Sequence, residues 1–128
     1  MVVNLMFVKQ PYPINFELNS RIHIDTANLI SIESHHDHLF FAFKGQKEKL
    51  KVWNKTLESF NERLPQPNFQ SIGRSETVNI YEIRRCDLET DMITMSNKDE
   101  FKVMPMERDE FFRILEKLIP DLFTDNKV

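Results

Sequence analysis

The sequence predicts a single domain, spanning residues 1–128, of the β-rich α+β class. Eleven phenylalanines and many isoleucines and valines favour strands, because aromatic and β-branched side chains pack well on a pleated sheet. Short apolar runs alternate with polar turns along most of the chain, and only two segments have helical periodicity. With 128 residues and 41% hydrophobic side chains, the chain is long enough to bury one sizeable core.

Six strands are predicted before the first helix. Apolar runs bounded by turn residues place them at residues 2–8, 14–18, 22–24, 29–32, 39–43 and 50–53. The first two, separated by Pro11 and Pro13, are expected to pair as a hairpin. The polar residues between the later strands have the composition of turns.

Two helices and a β-meander are predicted in the rest of the chain. The first helix begins after an N-cap at Asn54 or Thr56 and ends at Pro65. Strands of the meander are expected at residues 77–83, 92–95 and 101–104. The second helix follows Pro105, and the polar tail at 120–128 is expected to fray.

Residues 69–79 form the segment that most clearly suggests a function. Apolar anchors flank Gly73, which is expected to adopt a backbone conformation closed to other residues and to leave Arg74 and Ser75 at an exposed turn. The guanidinium of Arg74 suits a phosphate or the O6 and N7 edge of guanine, and Ser75 can hydrogen-bond to backbone or phosphate. The segment therefore predicts a DNA-recognition loop, and the alternative is an ordinary surface turn with a solvated arginine.

The charge distribution permits a basic face on the earlier part of the chain. The formal net charge is −3, whereas DNA affinity comes largely from phosphate neutralisation. Residues 1–86 nevertheless carry more Lys and Arg than Asp and Glu, and residues 87–128 carry the reverse. A basic face on the first part is one interpretation, and a generally solvated surface is the other.

The cluster His35, His36, Asp37 and His38 raises the question of a metal site. Imidazole suits Zn, Ni or Cu, and His36 and His38 would share a face of a strand. No second pair of Cys or His residues supplies a further ligand, so no metal and no other cofactor is expected. Histidines that contact phosphates or bases fit the pattern better.

Several classes of protein are excluded by composition. Two glycines are too few for a glycine-lined nucleotide loop, and no nucleophile paired with a base is visible, so the chain is not expected to be an enzyme. The single cysteine, Cys86, cannot form an internal disulfide, which favours a reducing cytoplasm. The longest apolar run, residues 39–43, is too short for membrane insertion.

The order of these elements resembles the LytTR DNA-binding domain found at the C-terminus of many bacterial response regulators. Residues 28–34 look like the family's strand ending in an acidic residue, residues 57–65 like its central helix, and residues 69–79 like its F-x-R-h-H-R-S-x-x-V-N segment. The resemblance covers about residues 20–118 and leaves residues 1–19 as an N-terminal strand extension. It implies antiparallel sheets with a short central helix and a C-terminal helix.

The resemblance also implies that loops, and not a recognition helix, enter successive stretches of major groove. Carried over by position, the DNA-contacting residues of the three family segments become His38, Arg74 and Arg108. Further contacts are expected from neighbouring polar and basic side chains: Ser75, His35, His36, Lys47 and Lys49.

The function expected from the resemblance is a bacterial transcriptional regulator that binds double-stranded promoter DNA, with a possible homodimer on DNA. The residues before the resemblance are too few for a receiver domain, so the module is expected to stand alone. Departures from the family pattern occur at Ser71, Gly73, Glu76 and Glu107, and the two glutamates would repel phosphate beside the arginines. The alternative is therefore a protein-interaction module, with a regulatory protein partner and little or no DNA binding.

Overall fold

The computed structural model describes residues 15–19, 22–53 and 55–125. Within them, ten strands form three antiparallel sheets of two, five and three strands. The two-stranded sheet is a hairpin of β1 (Asn15–Asn19) and β2 (Ile22–Asp25). Asp25 builds the turn that follows, because its carboxylate accepts the backbone N–H of Ala27 at 3.0 Å.

The central sheet has five strands in the order β5-β4-β3-β7-β6. Their bounds are β3 (Leu29–His35), β4 (His38–Phe43), β5 (Leu50–Trp53), β6 (Phe69–Ser71) and β7 (Glu76–Asn79). The helix α1 (Leu57–Asn61) lies on the connection from β5 to β6. Thr56 is its N-cap, as predicted, and its hydroxyl accepts the backbone N–H of Ser59 at 3.3 Å.

Apolar side chains cover both faces of the central sheet. An irregularity in the pairing of β3 with β4, between Leu29 and Ser31, shifts the alternation of side chains along β3. Leu29 and Ile32 consequently share one core cluster with α1, whereas Ile30 belongs to the cluster on the opposite face. The β3 strand is therefore buried on both sides.

The C-terminal half packs on the second face. It consists of a meander, β8 (Ile83–Asp87), β9 (Met92–Met95) and β10 (Glu100–Lys102), followed by α2 (Pro105–Leu118). Proline at the first position of α2 has no N–H to leave unpaired and is preset for the helical conformation. Buried apolar side chains of the sheet, the meander and α2 form one core: Ile30, Val78, Ile83, Ile93, Val103, Phe111 and Leu115.

Asn79 ties β7 to β3 across a sequence separation of 50 residues. Its buried side-chain amide donates to the backbone carbonyl of Leu29 at 2.8 Å. Its side-chain oxygen accepts the backbone N–H of Tyr81 at 3.1 Å and so caps a 3₁₀ helix at Ile80–Glu82. One side chain thus holds the start of β3 and the end of β7 together.

The β-rich, antiparallel fold class with a short central helix and a C-terminal helix is confirmed. The predicted strand at 77–83 is wrong in its second half, because the chain leaves the sheet at Asn79 and forms the 3₁₀ helix.

The ends of the chain differ from expectation in a second way. The predicted strand at 2–8, one half of the predicted hairpin, lies outside the described residues, whereas the strand predicted at 14–18 is β1 and pairs with β2. The tail was expected to fray from residue 120, but α3 (Asp121–Asp125) continues the fold and leaves Leu122 only 1% exposed. An apolar residue within a polar tail can pack against the core when the preceding helix directs it there.

Replacing Asn79 with alanine should lower the free energy of unfolding by about 1–3 kcal/mol, because the Leu29 carbonyl and the Tyr81 N–H lose their partner in a buried site. Urea unfolding of Asn79→Ala measures this. The control is Asn97→Ala, an exposed asparagine bonded only within its own turn, which should change stability by about 0.5 kcal/mol or less. Equal effects of the two substitutions would contradict the role of Asn79.

Candidate nucleic-acid interface

Three segments that the sequence singled out meet at one edge of the molecule. The backbone N–H of Ser34, at the end of β3, donates to the carbonyl of Ser75 at 2.7 Å. The backbone N–H of Met104, just before α2, donates to the carbonyl of Ile72 at 2.9 Å. The loop of residues 72–75, called the 72–75 loop below, is therefore held between the central sheet and the start of α2.

Arg74 is the exposed cation of the 72–75 loop. The loop is closed beneath it by two hydrogen bonds, from the Ser71 hydroxyl to the Gly73 carbonyl at 2.7 Å and from the Ile72 N–H to the Glu76 carbonyl at 3.2 Å. Within the described part of the chain, Arg74 makes no hydrogen bond or ion pair. Its five donors are available to an external acceptor, on a backbone that is held at both ends.

Gly73 is required for a different reason from the one predicted. Its φ does not lie in the left-handed region, whereas that of Gly45 does, at +77°. A Cβ on residue 73 would instead lie 2.6 Å from Cγ of Met104, which is closer than two non-bonded carbon atoms come in folded proteins. Glycine at this position therefore makes room for the Met104 side chain, which a larger residue would displace, and does not serve an unusual backbone conformation.

Arg108 is placed differently from Arg74. Its Nε donates to Asp91 Oδ1 at 2.6 Å, and its two terminal nitrogens reach Asp109 and the carbonyl of Leu88, each at 3.2 Å. The hydrogen bond and charge of Asp91 raise the pKa of the Arg108 guanidinium, which stays charged. The arginine therefore fastens the first turn of α2 to the β8–β9 turn.

The three candidate histidines lie on and beside the turn from β3 to β4. His36 is exposed with φ of +54°, in the left-handed region, and His35 is about half exposed. His38 is mostly buried, and its Nδ1 lies 3.1 Å from a carboxylate oxygen of Asp37. That hydrogen bond lowers the pKa of the exposed Asp37 carboxyl. Of the three, His35 and His36 are open to an external ligand.

Sequence reasoning overlooked the aromatic surroundings of His38. Its ring centroid lies 4.8 Å from that of Trp53 and 4.9 Å from that of Phe40. Trp53 is 53% exposed, and the ammonium of Lys51 lies 4.3 Å from its ring centroid. The only sequence feature that could have indicated this cluster is the single tryptophan, Trp53, at the end of a predicted strand. The pairing of β4 with β5 places it opposite His38.

The two candidate lysines have different environments. Lys47 is exposed in the turn before β5 and forms no ion pair with a described residue. Lys49 bridges two carboxylates, Glu33 at 2.6 Å and Asp99 at 2.8 Å. Burial alone would lower the pKa of Lys49, but hydrogen bonds and charge from Asp99 and Glu33 outweigh it and raise the pKa. Lys49 therefore joins the central sheet to the β9–β10 turn.

Two glutamates oppose each other beside the 72–75 loop. Glu33 on β3 and Glu76 on β7 are register partners in the central sheet. Partial burial, followed by the charge of Glu33, raises the pKa of the Glu76 carboxyl, and His35 acts in the opposite direction. Because Lys49 pairs with Glu33, Glu76 has no comparable cation among the described residues.

Neither a metal site nor a membrane-spanning helix is found among the described residues. No group of three or more His, Cys, Asp or Glu residues in that part of the chain is arranged to hold a metal ion. None of the helices described is long and apolar enough to cross a membrane.

Comparison with known proteins identifies the family. The model of the LytTr DNA-binding domain matches residues 19–116. The chain belongs to the LytTR family of DNA-binding domains. As a member of this family it is a DNA-binding module of transcription regulation, whose partner in general terms is double-stranded DNA.

The LytTR fold is confirmed by a solved structure. The match is the LytTr DNA-binding domain of a Bacillus cereus protein described as a methyl-accepting/DNA response regulator, with a TM-score of 0.58 and 17% identity. It covers 83% of this chain and 97% of that chain. A search of curated proteins gave no match.

Removing the charge of Glu76 should stabilise the LytTR module near neutral pH. A carboxyl whose pKa is raised by folding favours the folded state below its unfolded pKa, and that contribution is lost as pH rises through the folded pKa. Glu76→Gln should therefore raise the free energy of unfolding at pH 7 by about 0.2–1 kcal/mol, the range for charged pairs across strands.

Urea unfolding at pH 7 and at about pH 4, below the ordinary glutamate pKa of about 4.3, measures this difference. The gain should disappear at the lower pH. Glu48→Gln, at an exposed position, is the control and should have little effect at either pH. A gain from Glu76→Gln that is equal at both pH values would show that charge is not its cause.

Proposed function

We propose that this LytTR module is a cytoplasmic transcriptional regulator that binds promoter DNA by inserting the 72–75 loop into the major groove. The observation that carries the proposal is Arg74, an exposed arginine with no described partner on a loop held at both ends. A guanidinium presented in this way can donate two parallel hydrogen bonds to O6 and N7 of guanine. The membership of the family supports DNA as the partner.

Phosphate contacts would hold the module in register around this base contact. Ser75 lies beside Arg74, and its hydroxyl has no described partner. His35 and His36 lie exposed at the β3–β4 turn, and Lys47 is exposed in the β4–β5 turn, at the opposite end of β4. Such contacts position a protein on the duplex without reading its sequence. We therefore assign base readout to Arg74 and positioning to the other four residues.

Arg108, His38 and Lys49 would contribute chiefly by holding the interface in shape. Arg108 and Lys49 each join two segments through carboxylates, and His38 packs against Trp53. A guanidinium has five N–H donors, so Arg108 can still reach a phosphate while it keeps the bond to Asp91. Direct DNA contact by Arg108 stays a prediction that is compatible with its structural role.

A second function, protein interaction with little DNA binding, is favoured by one specific observation. Glu76 lies beside the 72–75 loop without an ion pair to a described lysine or arginine, and a carboxylate there repels phosphate. Binding of duplex DNA at low salt that weakens as salt rises would support the DNA-binding function. A lack of binding at low salt, together with a co-purifying protein, would support protein interaction.

Replacing Arg74 with alanine should weaken binding to a selected duplex by about 1–3 kcal/mol, because it removes the base-reading donors. The melting temperature should hardly change, since no described residue depends on the guanidinium. The matched control is Arg113→Ala, an arginine that is 76% exposed on the middle of α2 and should leave affinity almost unchanged. Fluorescence anisotropy with labelled duplex measures both variants, and equal affinity of Arg74→Ala and wild type would reject the assignment.

The two lysines provide a paired test of phosphate contact. Lys47→Gln should reduce the slope of log K against log salt by about 0.9 per monomer, because one phosphate contact is lost. Lys49→Gln should leave the slope nearly unchanged and lower the free energy of unfolding, because Glu33 and Asp99 lose their cation. The slope is measured by titration at several salt concentrations. The reverse pattern would show that Lys49 reaches the DNA.

A further inference from the structure

Met104 is fixed against the loop that carries Arg74. Its Cγ lies where a side chain on residue 73 would begin, and its backbone N–H donates to the carbonyl of Ile72 at 2.9 Å. It is also the N-cap residue of α2, and its carbonyl accepts the backbone N–H of Glu107 at 3.0 Å. The position of Met104 is therefore set by both the 72–75 loop and the helix.

Despite these constraints, Met104 is 46% exposed. Isolated apolar side chains on a protein surface are common and need no explanation. Met104 differs because the chain has a glycine beneath it, so that the methionine can lie across the loop beside the residue before Arg74. An apolar surface is thus presented next to the donors of Arg74.

We propose that Met104 is a specificity-determining residue that contacts the C5 methyl group of a thymine adjacent to the guanine read by Arg74. This inference rests on the proposed function. In the major groove, the thymine methyl is the apolar group by which side chains distinguish that base. A thioether chain has no strong hydrogen-bonding group, but it is flexible and polarizable and fits such a contact.

The positions of Arg74 and Met104 also explain why the guanine and the thymine would be neighbouring bases. Arg74 follows Gly73 directly in the chain, and Met104 covers Gly73. The guanidinium of Arg74 offers N–H donors, and the Met104 side chain over the preceding residue offers a hydrocarbon and sulfur surface. A guanine and an adjacent thymine present the matching acceptors and methyl group.

The test uses duplexes that wild-type protein selects from a random pool. Each thymine of the selected duplex is replaced in turn by uracil, as deoxyuridine. Uracil differs from thymine only in lacking the C5 methyl group. One thymine in each half-site should be sensitive, with an affinity loss of about four-fold, as expected for uncovering one methyl-sized apolar group. Thymines elsewhere in the duplex serve as controls within the same DNA.

Three variants connect that methyl group to Met104. Met104→Ala should bind the thymine duplex and the uracil duplex with equal affinity. Gly73→Ala should do the same, because its Cβ displaces the Met104 side chain. Leu118→Ala removes a side chain that is 36% exposed at the far end of α2, and it should keep the four-fold difference. Melting temperatures check that all three variants are folded.

The outcomes separate this inference from the proposed function. If no thymine is sensitive, or if Met104→Ala retains the full difference, the role of Met104 is overturned while a loss of affinity in Arg74→Ala still supports DNA reading. If the pool yields no duplex that binds at low salt, the proposed function fails, and the inference that rests on it fails as well. The contact is supported if Met104→Ala and Gly73→Ala lose the difference in affinity between the thymine and uracil duplexes while Leu118→Ala keeps it.

Discussion

The bond from the Asn79 amide to the Leu29 carbonyl fixes the strand pair on which the interface is built. It joins the end of β7 to the start of β3, and the Ser34 to Ser75 bond joins the opposite ends. A shift of one residue in this register would exchange the side chains that β7 directs to the two faces of the sheet. The orientation of the 72–75 loop, and with it the position of Arg74, therefore depends on polar bonds at both ends of this strand pair.

The ion pairs determine which cations remain available for nucleic acid. Arg108 and Lys49 connect segments that are distant in sequence, through Asp91 in one case and through Glu33 and Asp99 in the other. These partly buried pairs are screened less by salt than a pair in free solution. The same residue types thus serve two purposes, and only the environment of each one separates a structural cation from one that can meet a phosphate.

The sequence was sufficient to predict the order of most strands and helices, because apolar periodicity is a local property that survives in the fold. It could not predict that β7 ends at Asn79, since the partner of that side chain, Leu29, lies far away in the chain. The reason for Gly73 was missed in the same way, because Met104 reaches it from another segment. Exposure of Arg74 needed only the local pattern, whereas the pairing of Lys49 required the tertiary structure.

A domain with a net charge of −3 gains less from long-range attraction to DNA than a strongly basic domain does. Phosphate neutralisation can supply only a modest, salt-dependent part of its affinity. The base contact that we propose for Arg74 would then contribute more in proportion, because little conformational entropy is lost when a loop held at both ends docks. We expect a single module of this kind to bind weakly, and two copies on neighbouring half-sites would then convert weak contacts into selective binding, since the second contact becomes intramolecular.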